Sequence, residues 1–512
     1  MDQFAGKYRR AASWIIYALA LLAATYSAYI AIRFNGQHLL VRAFNFRETQ
    51  TALTSYWMCR EGFSFAYATP VGGYPWSIPF EFPLYQWIVS LISCHLGLDL
   101  ERVGRLVSYA FLLACALPAA RISRSLFADK WLAYFAAFIA IFFTAPLHLF
   151  FGQSFLMESA ALFFTLGFTS YMISVIQGDR SMRTVLIAGV FLTLAILQKS
   201  TTVLPLVPLF GFWLLAVGWR DIRSETIRSR TLWAGVLAVI IPFIIGAAWA
   251  KYTDIVKLHN TFGAQLTSSG LMQWNFGGDR LDWRLWQWII WIRNVERNVA
   301  GWVGVGVLAA GLVLLDGKHR KLIVGLPILF LAYFMIFTNL QFVHEYYQMS
   351  NEWLLIGALA VALGGAIVHR NMLVSAAGVV ALIAIAVINV HTFRHGDNYR
   401  EMHGENGPTH PVLESSYFIR DHTDPAKPIV VYGDDWNSEF PFFAERRAFV
   451  VMKYFSDYKG VVADPAKYLN GEQPSAVMIC RDERTPEFEA QVKAGFKYTS
   501  IKQLALCDVL LK

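Results

Sequence analysis

Residues 11–31 read AASWIIYALALLAATYSAYIA. No charge interrupts this run, and at about 1.5 Å per residue a helix of this length crosses the roughly 30 Å apolar core of a bilayer. The preceding Met1–Arg10 is polar and carries Lys7, Arg9 and Arg10. No small-residue cleavage site follows the run, so it reads as a retained first transmembrane helix and not as a signal peptide.

Comparable runs begin near Val103, Trp131, Phe155, Thr184, Thr202, Thr231, Val299, Leu322, Glu352 and Met372, which predicts about eleven transmembrane helices. Composition agrees. Hydrophobic residues make up 56% of the 512-residue chain and charged residues only 16%, against about 25% charged in soluble domains, which must coat their surface. The 17 Trp and the 15% aromatic share suit helices that end at two membrane interfaces. The predicted fold class is mainly α: a polytopic membrane helix bundle with a large outer loop carrying interfacial helices, plus a small C-terminal α/β soluble domain.

The formal charge of +8 is placed unevenly. Basic residues fall in every second connection: Lys7, Arg9 and Arg10; Arg121, Arg124 and Lys130; Arg180 and Arg183; Arg220, Arg223, Arg228 and Arg230; Lys318, Arg320 and Lys321; His369 and Arg370. The positive-inside rule puts these connections, and the N-terminus, in the cytoplasm. The basicity is a topology signal and not a nucleic-acid footprint.

The opposite side receives the large segments: a loop from Arg33 to Arg102, a second from Lys251 to Asn298, shorter turns at His148–Gln153, Gln198–Thr201 and Asn339–Ser350, and the tail from His391. In the first loop, Thr51–Cys59 and Leu84–Leu96 read as interfacial helices. The tail opens on a polar linker, His395–His410, with Gly396, Gly404, Gly407 and Pro408. Strands follow at Pro428–Gly433, Ala448–Tyr454, Ala476–Cys480 and Asp508–Leu511, alternating with helices at Leu413–Arg420 and Glu487–Ala494. This divides the chain into a membrane domain, 1–394, and an extracytoplasmic α/β domain, 395–512. Cys115 falls inside a helix. Cys59 and Cys94 share the first loop, and Cys480 and Cys507 share the tail; two disulfides and free buried thiols are both compatible with these positions.

Charged residues at the outer membrane boundary are costly unless paired or used. Glu48 follows Arg47 in FNFRETQT (44–51), and Glu81 sits in WSIPFEFPLYQW (76–87). A structural role for Glu48 is an ion pair with Arg47 or Arg42. Glu158 opens an apolar run, where a carboxylate faces the bundle and takes a partner. Lys199 lies in QKSTT (198–202), read as a tight outer turn; it either snorkels or binds an anion such as a membrane-surface phosphate. His344, Tyr346 and Tyr347 stand at a helix end in FVHEYYQ (342–348), as phosphate contacts or as an interfacial aromatic belt. Trp274, Trp283, Trp286, Trp288 and Trp291, then Arg293, Glu296 and Arg297, read as an amphipathic helix on the outer leaflet.

In this order the segments resemble the polyprenyl-phosphate-sugar glycosyltransferases of membrane superfamily C, which include the protein O-mannosyltransferases and the lipid A aminoarabinose transferases. The resemblance rests on Arg47-Glu48, Phe82-Pro83-Leu84-Tyr85, Gly104-Arg105-Leu106, Glu158, Lys199 and His344-Glu345-Tyr346-Tyr347, and covers roughly residues 10–370. It implies transfer of a sugar from a polyprenyl-phosphate donor to a glycolipid, glycan or protein acceptor at the outer face of a bacterial inner membrane. The family's acidic pair usually begins with Asp, its favoured base; Arg47 stands there in this chain. The base role therefore falls to Glu48, Glu81 or Glu158, and donor binding to Arg47, Lys199, His344, Tyr346 and Tyr347. No cofactor is required; a divalent cation held by Glu48 and Glu158 is compatible with the chemistry. A lipid-linked glycan ligase or polymerase, using Arg293, Arg297 and His344, and a carrier or flippase of a lipid-linked sugar are the other classes. A carrier predicts internal repeats and broken mid-membrane helices, and neither is evident in the sequence.

Overall fold

The computed structural model describes residues 2–38, 45–223, 230–277, 286, 299, 301–403 and 410–512. The chain divides into two compact units: one of residues 1–35, 105–247 and 272–400, and one of residues 36–104, 248–271 and 401–512.

The first unit is helical. Each expected span start is met by an apolar helix: Asp2–Phe34, Leu100–Ala114 running on into Ala116–Phe127, Trp131–Phe142, Glu158–Ile176, Met182–Val203, Leu206–Arg223, Arg230–Gly235 continuing to Lys257, Gly301–Leu314, Gly317–Ile336, Trp353–Ile367 and Met372–His395. Among the described residues, seven stretches are long and apolar enough to cross a membrane; Leu100–Phe142 is one stretch that carries two expected starts. Large apolar side chains such as Trp14, Phe212, Leu215, Val313 and Leu373 point outward, as a lipid solvent allows. Caps set the helix starts. Ser181 accepts from Thr184 N ahead of Met182–Val203, and Asp316 accepts from the N–H groups of Lys318 and His319 ahead of Gly317–Ile336.

Three of the connections expected on the cytoplasmic side meet. Arg121 donates to Ser174 Oγ at 3.0 Å, Lys318 reaches Leu126 O, and Tyr134 Oη lies 2.7 Å from His319 Nε2. Arg124 lies 4.1 Å from the Trp131 ring. These contacts put these three basic loops at one end of this unit.

The second unit is built on a five-stranded sheet of β1 (Ile429–Tyr432), β2 (Ala448–Val451), β3 (Ala476–Cys480), β4 (Ser500–Gln503) and β5 (Cys507–Leu511), in the order β2-β1-β3-β5-β4. β1 is parallel to β2 and β3, with Ile429 opposite both Ala448 and Ala476; β5 runs antiparallel to β3 and β4. The sequences IVVY, AFVV and AVMIC are buried throughout, because a parallel sheet covered on both faces shows no polar alternation. β4 was not expected. Its sequence SIKQ is exposed at every position, so it offered no apolar signal.

Loop segments complete the sheet's core. Ile78, Phe262 and Leu266 pack with Val430, Tyr432, Phe449 and Ile479. Residues 70–72 run beside the edge strand β2: Ala448 N donates to Pro70 O at 3.0 Å and Val450 N to Val71 O at 2.8 Å. Buried Asn260 holds that segment, donating to the carbonyls of Gly72, Gly73 and Pro75 at 3.1, 3.0 and 2.9 Å. The edge of β2 is thereby covered and not left open to a foreign strand.

Both loop and tail cysteine pairs are disulfides, Cys59–Cys94 and Cys480–Cys507, and Cys115 is a buried free thiol. The second bridge joins directly opposed residues of β3 and β5 across 27 positions of sequence. Closing a loop of that length removes about 3 kcal/mol of unfolded-state freedom. Cys480→Ser with Cys507→Ser is expected to lower the stability of this sheet by about that amount. Hydrogen exchange of the β1 and β3 amides in the full chain reads the loss; unchanged protection would contradict it.

Candidate functional site

The sequence-predicted residues fall into two groups, one in each unit. In the first unit, Glu158 begins helix Glu158–Ile176 and Lys199 lies near the end of the next helix, Met182–Val203. The two helices pack against each other as a hairpin, so a first residue and a near-last residue meet at one level. Lys199 was expected in a tight turn and is not in one. It sits inside the helix at φ −165°, ψ 92°, and this local break lets its side chain leave the helical path. The turn comes later, between Val203 and Leu206.

Lys199 Nζ forms an ion pair with Glu158 Oε1. Both side chains are buried, at 4% and 1% exposure. The ammonium also lies 3.9 Å from the Tyr347 ring centroid and 4.7 Å from that of Tyr346. Each tyrosine face adds cation–π attraction, about 2 kcal/mol when desolvated. His344 stacks on Tyr346 at 5.0 Å and lies 6.1 Å from Tyr347. The structure therefore brings Glu158, Lys199, His344, Tyr346 and Tyr347 together. Glu158 takes Lys199 as its ion-pair partner.

Two buried residues of this region were missed, His148 and Glu352. His148 Nδ1 lies 2.8 Å from Phe142 O and its Nε2 lies 3.0 Å from Met349 O, with Glu352 Oε2 4.0 Å away. Ser350 Oγ and Thr202 Oγ1 are 3.2 Å apart, and Tyr333 donates to Thr202 O at 2.7 Å. The segment after Tyr347 is thus fastened to the helices on either side. Glu352 carried the same signal as Glu158, a carboxylate opening an apolar run, and the rule that found one finds the other.

In the second unit, Arg47 and Glu48 lie in the first turn of helix Asn45–Glu61. Glu48 is fully buried. Arg47 bonds Gln50 Oε1 and Glu81 Oε1 and lies 5.9 Å from the Phe80 ring. Lys257 Nζ lies 5.1 Å from the same ring, donates to Leu266 O at 2.8 Å and pairs with Asp254 at 3.2 Å. Tyr67 fixes the segment, donating to Glu81 O at 2.9 Å and accepting from Phe80 N at 2.7 Å. Trp249 Nε1 donates to Phe80 O at 3.0 Å. Glu81 is in this arrangement the partner of Arg47. Arg42, which the sequence offered as a partner for Glu48, lies outside the described residues, as do Trp283, Trp288, Trp291, Arg293, Glu296 and Arg297.

Because its carboxylate is tied to a guanidinium, Glu81 is expected to position Arg47 and not to move a proton. Glu81→Gln should lower turnover about tenfold, with Glu81→Asp partly restoring it and the pH dependence unchanged. A shifted acid limb in Glu81→Gln would instead mark it as the base.

Residues 78–249, which hold Glu81, Glu158 and Lys199, match the model of the dolichyl-phosphate-mannose-protein mannosyltransferase family. No curated protein matches the sequence. Among solved structures, ArnT from Cupriavidus metallidurans bound to undecaprenyl phosphate superposes with a TM-score of 0.60 at 14% identity, covering 97% of both chains. The Archaeoglobus fulgidus oligosaccharyltransferase in complex with Zn and sulfate gives 0.57 at 9% identity over 95% of this chain and 72% of that one. The mycobacterial arabinofuranosyltransferase AftD gives 0.53 at 12% identity over 96% of this chain and 41% of that one in one of its structures, and 0.51 at 14% over 96% and 40% in another. The chain thus shares its fold along nearly its whole length with these solved transferases, and residues 78–249 within it match the mannosyltransferase family model.

Proposed function

We propose that the chain transfers a sugar from a polyprenyl-phosphate donor to an acceptor hydroxyl at the outer face of a bacterial inner membrane. The N-terminus would be cytoplasmic and the sheet-bearing unit extracytoplasmic. The observation that carries the reading is the buried Lys199 cage, within a fold shared end to end with a protein solved bound to undecaprenyl phosphate. A lysine buried with a carboxylate and two aromatic faces is held in one place without water, the condition for stabilising charge as it develops.

The acceptor oxygen attacks the anomeric carbon, most simply with inversion. The bond from that carbon to the phosphate oxygen breaks, and its electron pair leaves on the lipid phosphate. The acceptor's proton passes to Glu48. Lys199 neutralises the leaving phosphate, oriented by Glu158, and Arg47 and His344 are the further donor-binding residues that the family resemblance implies. Tyr346 and Tyr347 keep the ammonium from turning away. No step needs a metal, and the acceptor is a glycolipid, a glycan or a protein.

Mass spectrometry of envelope lipids and glycans from cells with and without the gene tests the function. Loss of one sugar from an envelope species, with accumulation of the lipid-phosphate-linked sugar, is the expected result. The mass difference tells hexosyl from pentosyl transfer. Unchanged donor and unchanged envelope species would refute it.

A further inference from the structure

The sheet of the second unit ends in a cleft that the transfer chemistry does not use. Chain order along the sheet reverses at β1: β2 lies on one side of it and β3 on the other. Open α/β sheets bind ligands outside the carboxyl ends of the strands at such a reversal. A cavity of about 430 Å³ occupies that place, lined by residues directly after β1, β2 and β3 and by Phe46, within the size range of ligand sites.

Its floor is a buried carboxylate. Asp434 is 6% exposed. Its Oδ1 pairs with Arg481 at 2.8 Å, and its Oδ2 has no hydrogen-bond partner among the described residues. Glu439 stands behind, 1% exposed, 3.7 Å from Arg481, its Oε1 likewise without a partner among the described residues. Burial pushes Asp434 well above the usual carboxylate range and Glu439 up to about 7. Such groups gain from donors supplied by a ligand.

The walls are aromatic. Phe46 packs edge-on against Trp436 at 4.9 Å. Tyr454 is 68% exposed and lines the cleft beside Asp435. Gly433 sits at φ +86°, and a side chain there would collide with Cys480 O. Asp435, Trp436 and Arg481 also take positive φ, a backbone cost of the kind that collects at functional positions.

The charges of the cleft are mated: Arg481 with Asp434, and Lys453 with Asp482 at 2.6 Å. A phosphate would meet the carboxylates, and an ammonium would meet Arg481 and Lys453. Among the described residues no group of three His, Cys, Asp or Glu side chains is placed to hold a metal ion. The ligand that fits is neutral, rich in hydroxyl donors and acceptors, and has a flat apolar face for Tyr454. We infer that the cleft at the carboxyl ends of β1, β2 and β3 binds a neutral saccharide, with Asp434 and Arg481 hydrogen-bonding its hydroxyls and Tyr454 stacking on one ring. This goes beyond the transferase reading and does not depend on it.

The test uses the full chain in lipid nanodiscs, fluorescently labelled, on an array of immobilised neutral, amino and phosphorylated oligosaccharides. Retention on neutral features is expected. Tyr454→Ala, a surface change that spares the core, and Asp434→Asn should each weaken it about tenfold or more. Retention confined to amino or phosphorylated features, no retention, or equal retention by Tyr454→Ala and wild type would each overturn the inference.

Discussion

Glu48→Gln is expected to lower sugar transfer roughly 10²- to 10⁴-fold, the usual contribution of a general base, while the protein still folds. Gln keeps the shape of the side chain and loses only the proton acceptor. Three carboxylates are candidates, and the family resemblance points first to Glu48. Glu81 is bonded to Arg47 and Glu158 to Lys199, so protonating either would break an ion pair. Glu48 lies fully buried in the first turn of its helix, beside the residue where the resembling family usually carries its base. Single-turnover release of polyprenyl phosphate from the donor, followed against pH, is the measurement. The acid limb of the wild-type profile should vanish in the variant along with the rate. Near-wild-type turnover in Glu48→Gln would return the role to Glu158 or Glu81.

Lys199→Met should cost both stability and activity, and a second variant separates the two. Removing the ammonium leaves Glu158 buried without its cation, a change that destabilises by about 3–5 kcal/mol when a buried pair is broken from one side. Adding Glu158→Gln removes the stranded charge, so the double variant should regain most of the melting temperature. It should not regain transfer, which is expected to stay roughly 100-fold down, as when a donor to developing negative charge is deleted. Lys199→Arg preserves the charge but not its compact shape, and should recover stability better than rate. Wild-type turnover by the Lys199→Met, Glu158→Gln protein would reduce the pair to a structural bolt.

The span starts were legible because hydropathy is a local property: every run named from the sequence has an apolar helix against it, from Asp2–Phe34 to Met372–His395. The strands β1, β2, β3 and β5 were legible for the same reason. Long-range pairing was not. Nothing near Lys199 says that its partner is Glu158, 41 residues earlier, or that Tyr346 and Tyr347 supply the faces around it. Arg47 was read as a neighbour for Glu48, and its bond to Glu81 across a separation of 34 left no local trace. The turn assigned to Lys199 failed because a single extended residue inside a helix leaves no compositional trace. Loop residues Ile78, Phe262 and Leu266 lie far from the tail in sequence, yet they belong to the core of the tail's sheet. An apolar side chain shows that it will be buried, not against what.

The interleaving of the second unit sets an order of events during synthesis. Residues 70–72 lie on Val450 and Ala448, and Asn260 clamps them from a third stretch of chain. Pairings over such separations form late, since loop closure precedes any reward from contact. The early loop must therefore wait, its apolar Ile78 and the backbone of 70–72 unprotected, until both later stretches have been synthesised. That interval is when a chaperone would find its client, and when a stalled or shortened chain would be marked for proteolysis.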